Sequence, residues 1–205
     1  MANGQQRNEE PLAASIIKWH FPKLFSEHLR YADMPDLQDD IKNIGIEVVR
    51  NLRMKQGEAQ GFIKEFKNTP EKDIPSAKID KLKELGFKPF FHDGKLFGIR
   101  SETYEINTDG IYETIEKKLN KLQTGNYRIF RSNRLFIFIS WQVACFQRYQ
   151  ILELTDNIRK LQEDKDEKFD VVYLYDEYNG EYDLWACYLK TGVVRKYKPK
   201  QCKIL

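Results

Sequence analysis

Two apolar rhythms alternate along the chain. Over 12–28, Leu12, Ile16, Trp19, Leu24 and Phe25 predict a first helix that ends or kinks near Pro22, with room to resume toward Leu29. Residues 29–40 hold Pro35 and several aspartates and predict a short strand with a turn. The β-branched run over 44–52 predicts a full strand. Helical spacing returns at Ala59, Phe62, Ile63 and Phe66 (58–66), and again at Ile79, Leu82 and Leu85 (76–85), where Gly86 stops it. Short runs at 87–91 and 96–100 flank His92-Asp93-Gly94 and predict a hairpin. Thr108-Asp109 can cap a helix that carries Ile111, Ile115 and Leu119 to Leu122. Strands follow over 134–141, 169–175, 182–188 and 193–197, with a helix over 151–162.

Interleaved helices and strands predict an α/β fold, a mixed central sheet flanked by helices. The expected organisation is a flexible N-terminus over 1–11 and a single domain over 12–205. Its core motif lies at 27–68, with a basic, sheet-rich half at 109–205. The hydrophobic share of 41% is enough for a real core. No apolar run approaches the roughly 18 residues of a membrane span, and the run Leu135 to Ile139 suits a buried strand. The first residues show no basic-then-apolar signal. Three cysteines (Cys145, Cys187, Cys202) without close spacing argue against a disulfide framework and a zinc site. A cytoplasmic protein without a membrane partner is the resulting expectation.

A net charge of +3 says little about partners, but its distribution says more. Lys117, Lys118, Lys121, Arg128, Arg131 and Arg134 fall in a stretch without an acid, and a second basic stretch spans 190–203. Such clusters either contact phosphates or are solvated faces. No phosphate-binding glycine loop, dinucleotide fingerprint or serine-hydrolase elbow is present, and His20, His28 and His92 have no metal spacing.

One constellation stands out. Pro35-Asp36 precedes a short extended segment, and Gly45-Ile46-Glu47-Val48-Val49 follows about ten residues later. An acid between apolar strand neighbours must be paired, protonated or metal-bound. Antiparallel pairing of the two segments would bring Asp36 and Glu47 together, and two carboxylates repel unless a cation lies between them. Mg²⁺ takes oxygen ligands and commonly uses one or two protein carboxylates. The Val48 carbonyl is a third candidate ligand and Glu27 a fourth, through water. The bland alternatives are a turn at Pro-Asp and an acid on the solvent side of an edge strand.

Pro-Asp, then Gly-Ile-Glu-Val on an apolar strand, then a helix, resembles the PD-(D/E)xK nuclease superfamily over about residues 12–68. The resemblance implies a restriction endonuclease-like fold and Mg²⁺- or Mn²⁺-dependent hydrolysis of nucleic-acid phosphodiesters, with DNA as the expected partner and a homodimer to cut both strands. It implies Asp36 and Glu47 as metal ligands, with Glu27 as the helix acid. The family's lysine should stand at 49, where this chain has Val49. Asp40-Ile41-Lys42 has the right letters but begins too soon after Asp36. Gln60 and Lys64 on the next helix are the substitutes, with Glu58 as a further acid. Arg50 and Arg53 would face phosphate, as would the basic residues of 117–134. The alternative is an inactive nuclease-like binding or inhibitory module of phage or defence-system origin.

Overall fold

The computed structural model describes residues 9–51, 54–101, 108–139, 146–178 and 181–198. Arg53, Trp141, Cys145 and Cys202 lie outside the described residues. In chain order the elements are α1 (Glu9–His20), β1 (Arg30–Tyr31), β2 (Leu37–Asp39), β3 (Ile44–Asn51), α2 (Met54–Phe66), α3 (Ser76–Glu84), β4 (Phe87–His92), β5 (Lys95–Ser101), α4 (Asp109–Leu122), β6 (Ser132–Ile139), α5 (Arg148–Leu161), β7 (Val171–Tyr178), β8 (Glu181–Tyr188) and β9 (Val193–Tyr197).

One difference from the expected elements concerns the N-terminal segment: the helix starts at Glu9, inside the stretch expected to be flexible. It ends at His20, close to Pro22, where an end or kink is expected. The Phe21 N–H still reaches the Ile17 carbonyl at 2.7 Å, but Pro22 has no N–H to continue the ladder. A second difference is larger. The chain packs as two compact units, Met1–Asn51 with Asn107–Leu205, and Leu52–Ile106, where a single domain over 12–205 was expected. The reason is that the second unit closes a core of its own. Ala59 and Phe62 of α2, Leu82 of α3, Phe87 of β4, Leu96 of β5 and Ile74 are buried together. Its strands β4 and β5 form a hairpin across Asp93 and Gly94, both at positive φ, the conformation a two-residue turn needs.

The first unit is an α/β structure with a mixed seven-stranded sheet, order β1-β2-β3-β6-β7-β8-β9. The central β3, β6 and β7 are parallel and the outer pairs antiparallel. Parallel neighbours need long crossovers, and α4 and α5 lie in those connections. Strand alternation sorts the sheet into two faces. Ile44, Ile46, Val48, Phe136, Phe138, Val171 and Tyr173 share one core with Ala13, Ala14, Ile16 and Ile17 of α1. Residues of opposite parity, Leu135, Ile137, Val172 and Leu174, are also fully buried, as are Ile115 and Leu119 of α4 and Ile151 and Ile158 of α5. The central strand β6 is therefore apolar on both faces, which explains its unbroken apolar run. Among the described residues, no helix is long and apolar enough to cross a membrane.

Candidate functional site

Glu47 has the parity of the face opposite α1. It sits between Ile46 and Val48, which turn into the α1 core, and is itself 3% exposed. A carboxylate so buried needs partners. Lys118 Nζ lies 2.6 Å from Oε1, the Tyr127 hydroxyl donates to Oε2 at 2.9 Å, and Lys121 Nζ stands 3.8 Å from Oε1. Lys118 and Lys121 are three apart on α4 and so share one side of the helix. The apolar stripe Ile111, Ile115, Leu119 and Leu122 is buried, which holds both ammonium groups at its border. Burial, then the Glu47 charge, raises the Tyr127 phenol above its ordinary value, so it stays a neutral donor.

Asp36 is brought to the same place by β2. The β2–β3 register ends at the Leu37–Ile46 pair, and Asp36, the residue before β2, lies near enough to Glu47 to feel its charge. Asp36 Oδ2 accepts the Val48 N–H at 2.7 Å. In an extended strand the N–H and C=O of one residue leave on the same edge. The Val48 carbonyl is thus on the Asp36 side. Close packing behind the pair fixes its position. A Cβ at Gly45 would lie 2.5 Å from Phe130 Cδ2 and 2.7 Å from Pro35 Cγ. Asn133 holds the Phe130 backbone in place through both its amide nitrogen and its oxygen. Gly45→Ala is expected to cost about 1–3 kcal/mol by overpacking. A urea midpoint at the wild-type value would refute this account of Pro35 and Phe130.

Burial raises the Asp36 pKa from 3.8 to about 6. The charges of Glu47 and Glu10 add to the rise, while the Val48 N–H and Lys118 oppose it. Asp36 thus feels an acid from β3 and one from α1, with a lysine offsetting them. Ionising Asp36 costs the folded state. Below pH 3.8 the carboxyl is protonated folded and unfolded. Between 3.8 and about 6 only the unfolded chain has released the proton, so stability falls as pH rises, and the full cost stands above 6. Asp36→Asn is therefore expected to stabilise the chain at pH 8 by on the order of 1–2 kcal/mol, allowing for solvent screening. The gain should shrink toward pH 4. Equal stability changes at both pH values would contradict it.

Glu27 adjoins Ser26, whose backbone N–H and hydroxyl both bond Asp39, at the end of β2 remote from Asp36. The acid that acts on Asp36 from the helix is Glu10. Gln60, Lys64 and Glu58 belong to α2 of the second unit, and the ammonium at Glu47 comes from α4. Lys118 and Lys121, expected to meet phosphate, are engaged by Glu47. Arg50 pairs with Glu9 at 2.6 Å. Arg128 bonds Asp40 and Gln38 and lies 4.6 Å over the Phe130 ring. Arg134 donates to the Tyr173 hydroxyl at 2.6 Å. Lys117 and Arg131 are exposed. Asp40 of the Asp40-Ile41-Lys42 triplet is spent on Arg30 and Arg128. Tyr127 and Glu10 carried no signal in the local pattern.

Among the described residues, no three His, Cys, Asp or Glu side chains gather as a ready metal cage. The donors at hand are two carboxylates and a carbonyl edge, a hard-oxygen set of the kind that leaves waters on Mg²⁺. Comparison with protein-family models, curated proteins and solved structures finds no match.

Proposed function

We propose that the chain is a Mg²⁺- or Mn²⁺-dependent nuclease of the restriction endonuclease-like type, acting on DNA, with Asp36 and Glu47 as metal-binding carboxylates. The observation that carries the reading is their proximity: Asp36 accepts the N–H of Val48, the neighbour of Glu47, and feels the Glu47 charge, while Lys118 Nζ lies 2.6 Å from Glu47. The mixed sheet flanked by helices supports it.

When bound, the metal would polarise a phosphate oxygen and lower the pKa of a coordinated water. The protein's part is to place the charges. Asp36 and Glu47 present two oxygens with the Val48 carbonyl edge beside them. Lys118 supplies the cationic group that Val49 cannot, positioned to stabilise charge on the phosphate in the transition state. Lys118 thereby takes the place assigned from the sequence to Gln60 or Lys64. Asp36, raised to about 6, is largely ionised at neutral pH and ready to accept a cation. Tyr127 orients Glu47 by holding Oε2.

The test is incubation of the full chain with supercoiled plasmid, circular single-stranded DNA and RNA, with Mg²⁺ or Mn²⁺. Cleavage that stops on adding chelator is the expected result, and no cleavage of any substrate would refute the reading. A second reading has one observation in its favour. Glu47 already has Lys118, Lys121 and Tyr127 as partners, which suits a chain that binds nucleic acid without cutting it. Retention of labelled DNA with no cleavage under any metal would select that reading.

A further inference from the structure

The β4–β5 hairpin carries a basic and aromatic face that the proposed metal site does not use. Strands FKPFFH and KLFGIRS contain Lys88, Lys95 and Arg100 and no acid. One side of the hairpin, with Phe87 and Leu96, closes the core of the second unit. The other side holds a row of rings. The Arg100 guanidinium lies 4.1 Å over Phe90, Phe90 meets Phe97 edge-on at 5.9 Å, and Phe97 meets His92 at 5.9 Å.

The backbone sets this row up. Phe90 pairs with Gly98 and Phe91 with Leu96, so Phe97 is the extra residue of a β-bulge with no partner across the ladder. A bulge re-aims the side chain it carries. Phe97 is 62% exposed, while its neighbour Leu96 is fully buried. Gly98 puts no side chain beside Phe90, and a Cβ there would meet nothing within 4 Å. The space next to the rings is open.

We infer that this face binds single-stranded nucleic acid, with an unpaired base stacked on Phe97 and phosphates met by Lys95 and Arg100. The charge of the strands selects a polyanion, and the exposed rings select one with unpaired planar groups, as duplex bases are already stacked. Preference for a nucleic acid over other polyanions rests on the nuclease reading.

The experiment is fluorescence anisotropy of the full chain in EDTA, which removes cleavage, with labelled dT20, rU20 and a 20-base-pair duplex over a salt series. Phe97→Ala, a surface change, should weaken binding of a single strand by roughly 5- to 100-fold. Arg100→Gln should weaken it and flatten its salt dependence. The inference is overturned if wild type binds neither single strand, or if Phe97→Ala binds as wild type. It is also overturned if the duplex shows the same dependence on Phe97, or if the substitution alters only self-association. A chain that binds single strands through Phe97 and cuts nothing would sink the nuclease reading and leave this one standing. A chain that cuts, with binding indifferent to Phe97, would do the reverse.

Discussion

If the chain is the proposed nuclease, Glu47→Gln should lower metal-dependent cleavage on the order of 10³-fold, the rate equivalent of several kcal/mol of charge stabilisation at the phosphate. The substitution keeps the shape of the side chain and still offers Tyr127 an acceptor, so the sheet should remain folded. It removes the negative charge that, with Asp36, would hold a divalent cation. It also removes the partner of Lys118, whose Nζ lies 2.6 Å from Oε1. Two measurements check the prediction together. Single-turnover cleavage with saturating DNA reads the rate. Thermal unfolding with and without Mg²⁺ reads metal binding, because a ligand that prefers the folded state raises its stability. Wild type should gain stability with Mg²⁺, and the variant should gain little. A variant that cuts at the wild-type rate would remove Glu47 from the chemistry.

Lys118→Met should destabilise the chain by about 2–4 kcal/mol, the cost of leaving a buried carboxylate without its main cation. Glu47 is 3% exposed and cannot regain water. Lys121, at 3.8 Å, would take over part of the role, which places the cost below that of a wholly isolated buried charge. The Glu47→Gln, Lys118→Met double variant should recover most of the loss, since a neutral amide needs no ammonium beside it. Urea unfolding of the four chains completes the cycle. Additive losses would mean that the two side chains do not depend on each other, and the site as described would be wrong. The same lysine substitution should slow cleavage, so activity and stability fall together here. At Asp36 they would part, because the charge proposed to bind metal is the one that costs the fold.

Much of the architecture was legible in the sequence. The stripe Ile111, Ile115, Leu119 and Leu122 sets α4 at Asp109–Leu122, and β9 falls at Val193–Tyr197, both at the expected bounds. The Asp36–Glu47 pair could be suspected because an acid within an apolar strand is costly, whatever the rest of the fold. The remaining members of the site could not be read. Lys118 lies 71 residues from Glu47 and Tyr127 lies 80 away, and local periodicity holds no information about such meetings. Lys118 looked like any cation of a basic stretch. The split into two units was hidden for a related reason. The segment from Leu52 to Ile106 continues the same helix and strand rhythm as its flanks, and nothing in its composition says that its apolar residues face one another.

The interposed second unit has a consequence for how the site comes into being. Asp36 and Glu47 leave the ribosome first, then the whole of Leu52–Ile106, and only later the lysine and tyrosine that neutralise and hold Glu47. A nascent chain halted before Lys118 has β2 and β3 but no counter-charge for the acid between Ile46 and Val48. The early strands therefore wait on a late helix, and the hairpin unit has its full length in hand before that centre can be assembled.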